Sequence, residues 1–316
     1  MAASATAQPV AGGRAIRVVV PFPPGGAIDI VGRLVADRLG PILGQSVVVD
    51  NRGGAGGILG TDLVAKGPPD GSVIGVIGGV TLMAYPTLYA RLPFNPGRDL
   101  QPLTLITSGA LLCVVNAETA QRRGWTDFRS LIAWARANPD GVTMGSSGTG
   151  TSSHLCISAI NSATGARVLH VPYRGGGPAI QDLLGGTIDM MFDVTPALTP
   201  HVESGKFKAL AVSSRGRMSL LPEVPGLGEF ADLGLGDLDI SPWNALMLPA
   251  GTPEPVVAHL FTAVRQVASQ GDFADRLRPL GYEVVTSESP ASLAEQIRRE
   301  TPTWIRLVEI SGAKLE

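Results

Sequence analysis

The amino-terminal part of the chain contains the stretch Arg17-Val18-Val19-Val20-Pro21-Phe22-Pro23-Pro24-Gly25-Gly26-Ala27-Ile28-Asp29. It starts as an apolar strand, stops at prolines and passes through two glycines into an amphipathic helix. At such a junction the backbone N–H groups of the first helical turn have no partner within the helix, and the helix dipole adds partial positive charge. The stretch predicts an anion site, for a carboxylate, that needs no lysine or arginine. The alternative is a plain tight turn.

The composition is that of an ordinary globular protein with enough residues for two lobes. The chain has 316 residues, of which 44% are hydrophobic and 16% charged, with 25 Lys and Arg against 27 Asp and Glu. The basic residues are scattered, which argues against nucleic acid as the main partner. No apolar run is long enough to span a membrane, and residues 1–9 lack the charged and apolar regions of a secretory signal. We therefore expect neither membrane insertion nor a signal peptide in this chain.

Apolar strands alternate with helical patterns along the chain, which predicts an α/β protein with mostly parallel sheets. Two extended segments, Leu103–Thr107 continuing into Leu111–Asn116 and then Ile240–Leu248, are interpreted as crossings between two lobes. We predict that lobe 1 consists of residues 14–108 and 240–316 and lobe 2 of residues 109–239. Two crossover strands form a hinge, and a ligand cleft lies between the lobes.

A second strand-to-helix junction reads Gly145-Ser146-Ser147-Gly148-Thr149-Gly150-Thr151-Ser152-Ser153. Its small hydroxyls and glycine amides suit another polar or anionic end of a ligand. The alternative is a surface turn in which Thr151 or Ser152 caps the following helix.

Three charged positions near these loops have two interpretations each. Asp29 is expected to accept loop N–H groups or to pair with Arg33 one turn later, rather than to touch an anion. Asp193 ends a buried strand, where it either binds a ligand donor or caps the helix that starts near Pro196. Arg174 either clamps a carboxylate or is an exposed loop residue.

Enzymatic motifs are weak in this sequence. Gly145-Ser146-Ser147-Gly148 does not fit G-x-S-x-G, and His154 is expected to face the core. H-E-x-x-H and G-x-x-x-x-G-K-[ST] do not occur, and the glycines at 54–60 miss G-x-G-x-x-G by one residue. Cys113 and Cys156 lack metal-ligand spacing and are expected to be small buried hydrophobes rather than a disulfide. We predict no catalytic residue, no metal and no cofactor.

Many motifs in one order resemble the Bug-type periplasmic solute-binding proteins of tripartite tricarboxylate transporters, a TctC-like family, over nearly all the chain from Ile16 onward. The motifs are Pro21-Phe22-Pro23-Pro24-Gly25-Gly26 with Asp29 and Arg33, Asp50-Asn51-Arg52 with Gly54-Ala55-Gly56-Gly57, Pro69-Asp70-Gly71, Gly148-Thr149-Gly150 with His154-Leu155, Val171-Pro172-Tyr173-Arg174-Gly175, Asp182-Leu183-Leu184-Gly185-Gly186, Asp189, Asp193, Trp243, and Leu248-Pro249-Ala250-Gly251-Thr252-Pro253.

The resemblance implies a two-lobe, type II-like periplasmic binding fold. It implies a receptor that carries a small organic acid to the membrane subunits of a transporter, with its signal peptide removed. We expect a monomer. Gly53 and Asn244 depart from the family pattern and bear on the shape of the pocket. The alternatives are a sensor module that presents the acid to a signalling partner, or an enzyme acting on an acidic metabolite.

The predicted site combines the physical interpretation with the resemblance. The ligand-binding residues are predicted to be Phe22, Pro24, Gly25, Gly26, Ala27, Thr81, Ser146, Gly148, Thr149, Gly150, Thr151 and Asp193, supported by Asp29, Arg33 and Arg174. In the family, the backbone of the loop matching 22–27 holds a ligand carboxylate, and the loop matching 146–151 and the acid matching Asp193 complete the pocket.

Overall fold

The computed structural model describes residues 10–315. The predictions made for residues 1–9, and the end of lobe 1 at residue 316, lie outside the described residues. The strands are β1 Ile16–Val20, β2 Val47–Asn51, β3 Val73–Gly78, β4 Leu100–Ser108, β5 Leu111–Asn116, β6 Val142–Ser146, β7 Val168–Pro172, β8 Met190–Val194, β9 Phe207–Val212, β10 Trp243–Pro249 and β11 Glu283–Val284.

Helices cover both sheets and supply the layers around them. They are α1 Ala27–Leu43, α2 Ile58–Ala65, α3 Gly79–Met83, α4 Tyr85–Leu88, α5 Pro96–Asp99, α6 Ala117–Arg123, α7 Phe128–Ala137, α8 Ser152–Thr164, α9 Gly176–Leu184, α10 Thr195–Glu203, α11 Glu254–Ala268, α12 Gly271–Leu277 and α13 Pro290–Ser311. Short 3-10 turns lie at Val10–Gly13, Ala55–Gly57, Leu227–Glu229, Ala231–Leu233 and Arg278–Leu280.

The strands form two separate sheets, which define the two lobes. The six-stranded sheet of lobe 1 has the order β11-β4-β10-β3-β1-β2, and the five-stranded sheet of lobe 2 has the order β7-β6-β8-β5-β9. The predicted α/β architecture with two lobes is confirmed. The residue boundaries proposed for the lobes remain a prediction, although no strand crosses them.

The expectation of mostly parallel sheets is wrong. Strands β1 to β3 pair in parallel, as do β6 to β8, but β10 runs antiparallel to β3 and β4, and β5 runs antiparallel to β8 and β9. The physical reason is topological. Strands β5 and β10 arrive from the opposite lobe, so each enters its sheet in the reverse direction.

The two chain crossings run side by side. Gly109 and Ala110 connect β4 to β5, and the amide of Gly109 donates to the carbonyl of Pro242, just before β10, at 3.0 Å. The buried hydroxyl of Ser213 accepts from the amide of Leu111 at 2.8 Å and donates to the carbonyl of Ile240. One serine therefore ties the outgoing crossing to the returning one.

Helix α13 forms a further link between the lobes. It packs against α8 of lobe 2 and against α3 and β4 of lobe 1. Its buried Trp304 and Leu307 belong to a hydrophobic cluster that also contains Ile77 from sheet 1 and Met144 from sheet 2. The lobes thus share part of one hydrophobic core, which the two predicted crossings alone would not provide.

Candidate ligand-binding site

A cavity of about 720 Å³ opens between the lobes. It is lined from lobe 1 by the β1–α1 loop, the start of α3 and β10, and from lobe 2 by the starts of α8 and α9 and the end of β8. Its size suits a small organic ligand. None of the described residues that line it is Lys, Arg, His, Asp or Glu. An anion in this cavity must therefore be held by N–H groups and hydroxyls.

The lobe-1 loop, residues 22–27, contributes Phe22, Pro24, Gly26 and Ala27 to the wall. Gly26 is the N-cap of α1, and no side chain caps this helix. The first hydrogen bond of the helix runs from the amide of Ile30 to the carbonyl of Gly26 at 3.1 Å. The helix N-terminus consequently faces the cavity region without a capping group, as the sequence predicted.

Gly25 was predicted to bind ligand, but the structure gives it another role. Its φ is +88°, a conformation that suits glycine, and its amide donates to Oδ2 of Asp29 at 2.8 Å. The residue does not line the cavity. Because this N–H group already has a partner, Gly25 shapes the turn and leaves the amides that follow it to a ligand.

Asp29 is held in a network, as expected. Its Oδ2 also accepts from Nε of Arg33 at 2.9 Å, and its Oδ1 accepts from Nδ2 of Asn51 at 2.9 Å. Nδ2 of Asn51 also donates to the carbonyl of Phe22 at 3.0 Å. Burial alone would raise the pKa of Asp29, but the hydrogen bonds from Arg33, Gly25 and Asn51 and the Arg33 charge outweigh it and hold the pKa below its ordinary value.

The lobe-2 loop, residues 146–151, reaches the cavity through Ser147 and Thr151, together with the adjacent Ser152. Ser146, Gly148, Thr149 and Gly150, which were predicted to bind ligand, do not line the cavity. The amide of Gly148 donates to Oγ of Ser146 at 3.2 Å, and the amide of Gly150 donates to Nδ1 of His154 at 3.1 Å. These N–H groups are used to fold the loop.

Thr151 is the N-cap of α8, and its hydroxyl accepts from the amide of His154. Thr151 therefore caps α8, as the alternative interpretation of this junction predicted, and also lines the cavity. His154 is 7% exposed, so its expected core position is confirmed.

Asp193 lies at the end of β8, 7% exposed and directly behind the cavity wall. Its Oδ1 accepts from the amide of Val194 at 2.7 Å, while Oδ2 is buried without a hydrogen-bond partner among the described residues. Burial raises the pKa of this carboxyl to about 6. The alternative that Asp193 caps the next helix is wrong, because α10 has Val194 as its N-cap and no side-chain capping bond.

Sequence reasoning missed several wall residues. Gly175 and Gly176 come from lobe 2, and Asn244 and Tyr282 come from lobe 1. The departure at Asn244 was noted in the sequence but could not be placed. Its Nδ2 donates to Oγ1 of Thr107 at 3.0 Å. Predicted Thr81 does line the cavity, whereas Arg174 is exposed and does not.

Trp243 forms part of the wall and is fixed from two sides. Its Nε1 donates to Oε2 of Glu300 on α13 at 2.8 Å. A Cβ on Gly79 would lie 2.7 Å from Cε2 of the indole, so the ring packs directly on the start of α3. The aromatic wall is thereby held to the helix that joins both lobes.

A second cavity of about 570 Å³ lies in lobe 1 between α3, β4 and α13. It is lined by Leu82, Phe94 and Ile297 among others and takes no residue from lobe 2. The interlobe cavity is the better candidate because both helix-start loops converge on it. Within residues 10–315 no group of three or more His, Cys, Asp or Glu side chains could hold a metal ion. Cys113 and Cys156 are free and buried.

Comparison with known proteins places the chain in a family. A family model described as "Tripartite tricarboxylate transporter family receptor" matches residues 31–312. The chain belongs to this receptor family. A "UPF0065 protein in tcbD-tcbE intergenic region" of Pseudomonas sp. (strain P51) is 37% identical over 93% of this chain and 85% of its own length. The resemblance stated from the motifs is confirmed.

Solved structures of the receptor family share the fold. The periplasmic binding protein BugD is 32% identical with a TM-score of 0.79, covering 96% of this chain and 99% of BugD. A Rhodopseudomonas palustris protein solved with adipate is 30% identical with a TM-score of 0.81, covering 96% and 99%. MatC from the same organism, with bound malate, is 31% identical with a TM-score of 0.78, covering 93% and 99%. The chain therefore shares its fold with a periplasmic binding protein. In the part of the chain that the structure describes, no helix is long and apolar enough to cross a membrane.

Proposed function

We propose that this protein is an extracytoplasmic receptor that captures a small carboxylate-bearing metabolite and delivers it to the membrane subunits of a tripartite tricarboxylate-type transporter. The observation that carries the proposal is the uncapped start of α1 at a cavity shared by two lobes and lined, among residues 10–315, by no charged side chain. An anion in that cavity gains from the helix dipole and from free N–H groups without desolvating a cation.

The walls restrict the class of ligand. Phe22, Tyr85, Trp243 and Tyr282 surround the space with aromatic surface, and the wall also contains residues with hydroxyl groups, namely Thr81, Ser147, Thr151, Ser152 and Thr195. Such walls suit a dicarboxylate, a tricarboxylate, an aromatic acid or an acidic amino acid. The adipate and malate bound by two relatives fall within this class. No catalytic role is proposed, so the bound acid should be released unchanged.

A ligand panel tests the proposal. The protein is mixed with adipate, malate, citrate, benzoate and glutamate, with glucose as a neutral control, and its melting temperature is measured. We expect at least one acid to raise the melting temperature in proportion to the logarithm of its concentration, and calorimetry to give one site per chain. Stabilisation by glucose with no response to any acid would contradict the proposal.

A backbone variant tests how the carboxylate is held. Gly26 has φ −79°, which proline accepts, and the nearest atom to an added Cβ is 4.0 Å away. Gly26→Pro removes the amide hydrogen, whereas Gly26→Ala adds the same Cβ and keeps it. We expect Gly26→Pro to weaken acid binding by about tenfold or more and Gly26→Ala to stay within about threefold. Equal affinities for the two variants would contradict binding by this amide.

A further inference from the structure

Two histidines lie stacked behind the lobe-2 loop. The rings of His154 on α8 and His170 on β7 have centroids 3.8 Å apart and planes inclined by 10°. His154 is buried and His170 is half-buried, and neither lines the interlobe cavity. The pair therefore acts on a ligand only through the residues that it contacts.

Each imidazole contacts one end of the loop. Nδ1 of His154 accepts from the amide of Gly150 at 3.1 Å, and Nε2 of His170 lies 2.6 Å from Oγ of Ser146. The same Oγ contacts both the amide and the carbonyl of Gly148 at 3.2 Å. The stacked pair consequently fixes the loop at its first residue and at the residue before Thr151.

The position of this loop also determines how the lobes meet. A Cβ on Gly150 would lie 2.3 Å from Cδ2 of Leu88, so the loop packs directly against α4 of lobe 1. Thr151 follows at once, lines the cavity and caps α8. A small displacement of Gly150 would move a residue of the cavity wall and an interlobe contact together.

This arrangement requires a neutral His154 and excludes a charge on both rings at once. Nδ1 of His154 accepts a hydrogen bond only when it carries no proton, and two stacked imidazolium rings would repel each other. Burial lowers the pKa of His154, and burial together with the neighbouring His154 lowers the pKa of His170 to about 4. Within the described residues, no carboxylate, lysine or arginine from the elements around the pair contributes to either shift.

We propose that His154 and His170 are positioning residues for the ligand site, which as a neutral stacked pair hold the lobe-2 loop in its binding shape, and that affinity for the carboxylate ligand falls when the pair takes up a proton. The proposal rests on the proposed function, because it concerns the affinity of the same cleft. It assigns a role in binding to two side chains that a ligand does not touch.

Crossed amide variants test the proposal while preserving side-chain bulk. The Oδ1 of an asparagine can occupy the position of Nδ1, and the Oε1 of a glutamine that of Nε2. His154→Asn therefore keeps an acceptor for the amide of Gly150, and His170→Gln keeps a polar atom beside the hydroxyl of Ser146, whereas His154→Gln and His170→Asn misplace these atoms. We expect affinity within about threefold of the original for the first two and a loss of about tenfold or more for the other two, since the buried amide of Gly150 or the hydroxyl of Ser146 loses its partner.

The affinity is measured by calorimetry at pH 7.5 with whichever of adipate, malate, citrate, benzoate and glutamate binds the unmodified protein most tightly. The melting temperatures of all four variants are also compared. If the histidines only filled space in the fold, the two variants at each position would lower the melting temperature equally. If His154→Gln loses no more affinity than His154→Asn, and His170→Asn no more than His170→Gln, the proposal is overturned.

A pH profile supplies the second readout. Since Asp193 also titrates, the profile is recorded in the Asp193→Asn background from pH 7.5 to pH 4. The carboxylates of the ligand also titrate in this range and lower the affinity of every variant alike. We expect the affinity to fall further toward pH 4, by about twofold or more, in this background than in the protein that also carries His154→Asn and His170→Gln. A fall of the same size without the two histidines would overturn the proposal.

Hydrogen exchange separates this proposal from the proposed function. If no acid binds at pH 7.5, the proposed function fails. Exchange at the Gly150 amide in the ligand-free protein still reports on the pair. We expect protection in the original protein and in His154→Asn, and at least tenfold faster exchange in His154→Gln. Equal exchange in all three proteins would show that the pair does not hold the loop.

Discussion

The carboxylate of Asp29 lies 2.8 Å from the amide nitrogen of Gly25, at the point where the lobe-1 loop turns into α1. One residue of the helix thus fixes the turn that precedes it, while Arg33 and Asn51 hold the carboxylate in place. Gly26 and Ala27 follow directly and line the cavity. Asp29 therefore stabilises the turn next to the predicted anion site without lining the cavity, where its charge would repel an anion.

Asp29→Asn should loosen this turn. The variant loses the charge paired with Arg33, and we expect the free energy of unfolding at pH 7 to fall by about 1–2 kcal/mol and acid affinity to fall several-fold. The folded-state pKa of Asp29 lies below its ordinary value of 3.8. The stabilisation is therefore present above about pH 4 and lost as the pH falls through the folded pKa. Urea unfolding at pH 7, 5 and 3 measures the difference, and a difference that does not shrink at pH 3 would contradict this role.

Gly176→Ala should disturb the wall next to Asp193. The added Cβ would lie 2.5 Å from Oδ2 of Asp193, whereas the nearest neighbour of a Cβ on Gly177 is more than 4 Å away. We expect Gly176→Ala to lower the free energy of unfolding by about 1–3 kcal/mol and to weaken acid binding. Gly177→Ala is the matched control in the same helix and should be neutral or slightly stabilising. Indistinguishable unfolding curves would show that Asp193 does not lie against Gly176.

Asp193→Asn should flatten the dependence of stability on pH. The folded-state pKa of Asp193 is raised to about 6 from 3.8, so the folded protein without ligand loses stability as the pH rises through 6. The two-unit shift corresponds to about 3 kcal/mol, which is lost between about pH 4 and pH 6. The asparagine keeps an acceptor for the amide of Val194 and carries no charge. The free energy of unfolding, measured with denaturant between pH 4 and pH 7, should decline in the original protein and stay nearly level in the variant. Parallel profiles would refute this assignment.

Gly79→Ala should displace the indole of Trp243. Three ring atoms would lie within 2.9 Å of the new Cβ, and the bond from Nε1 to Glu300 would be strained or broken. We expect acid affinity to fall by about tenfold, with a loss of about 1–3 kcal/mol in stability. Gly78→Ala is the control, because its Cβ would make an ordinary contact of 3.6 Å with Asn244. Calorimetry on both variants measures the difference, and unchanged binding by Gly79→Ala would remove Trp243 from the site.

Local patterns predict the longer strands well. The segment predicted at Leu111–Asn116 agrees with β5 residue for residue, and the one predicted at Ile240–Leu248 overlaps β10. Short helices such as α3 and α4 were not predicted, because they contain four or five residues and have no helical period of their own. They form only where β3 ends against Trp243 and α13.

Only some residues of the candidate site could be predicted from the sequence. Gly26 and Ala27 were located from the sequence because strand, glycines and helix follow one another directly, and the unpaired amides are a consequence of chain order. Gly148 and Gly150 have the same appearance in the sequence, yet their amides are bonded to Ser146 and His154. Whether a loop amide is free depends on which side chains pack behind it.

The sequence by itself determined two strand-to-helix junctions, the alternation of α and β elements, and the family to which the chain belongs, since these depend on residues close together in the chain. The tertiary structure decided the antiparallel entry of the crossing strands and the bridging of both lobes by α13. It also decided the contact between Gly176 and Asp193 and the stacking of His154 on His170. Those contacts join residues distant in sequence, and they exist only after the strands have paired and the helices have packed.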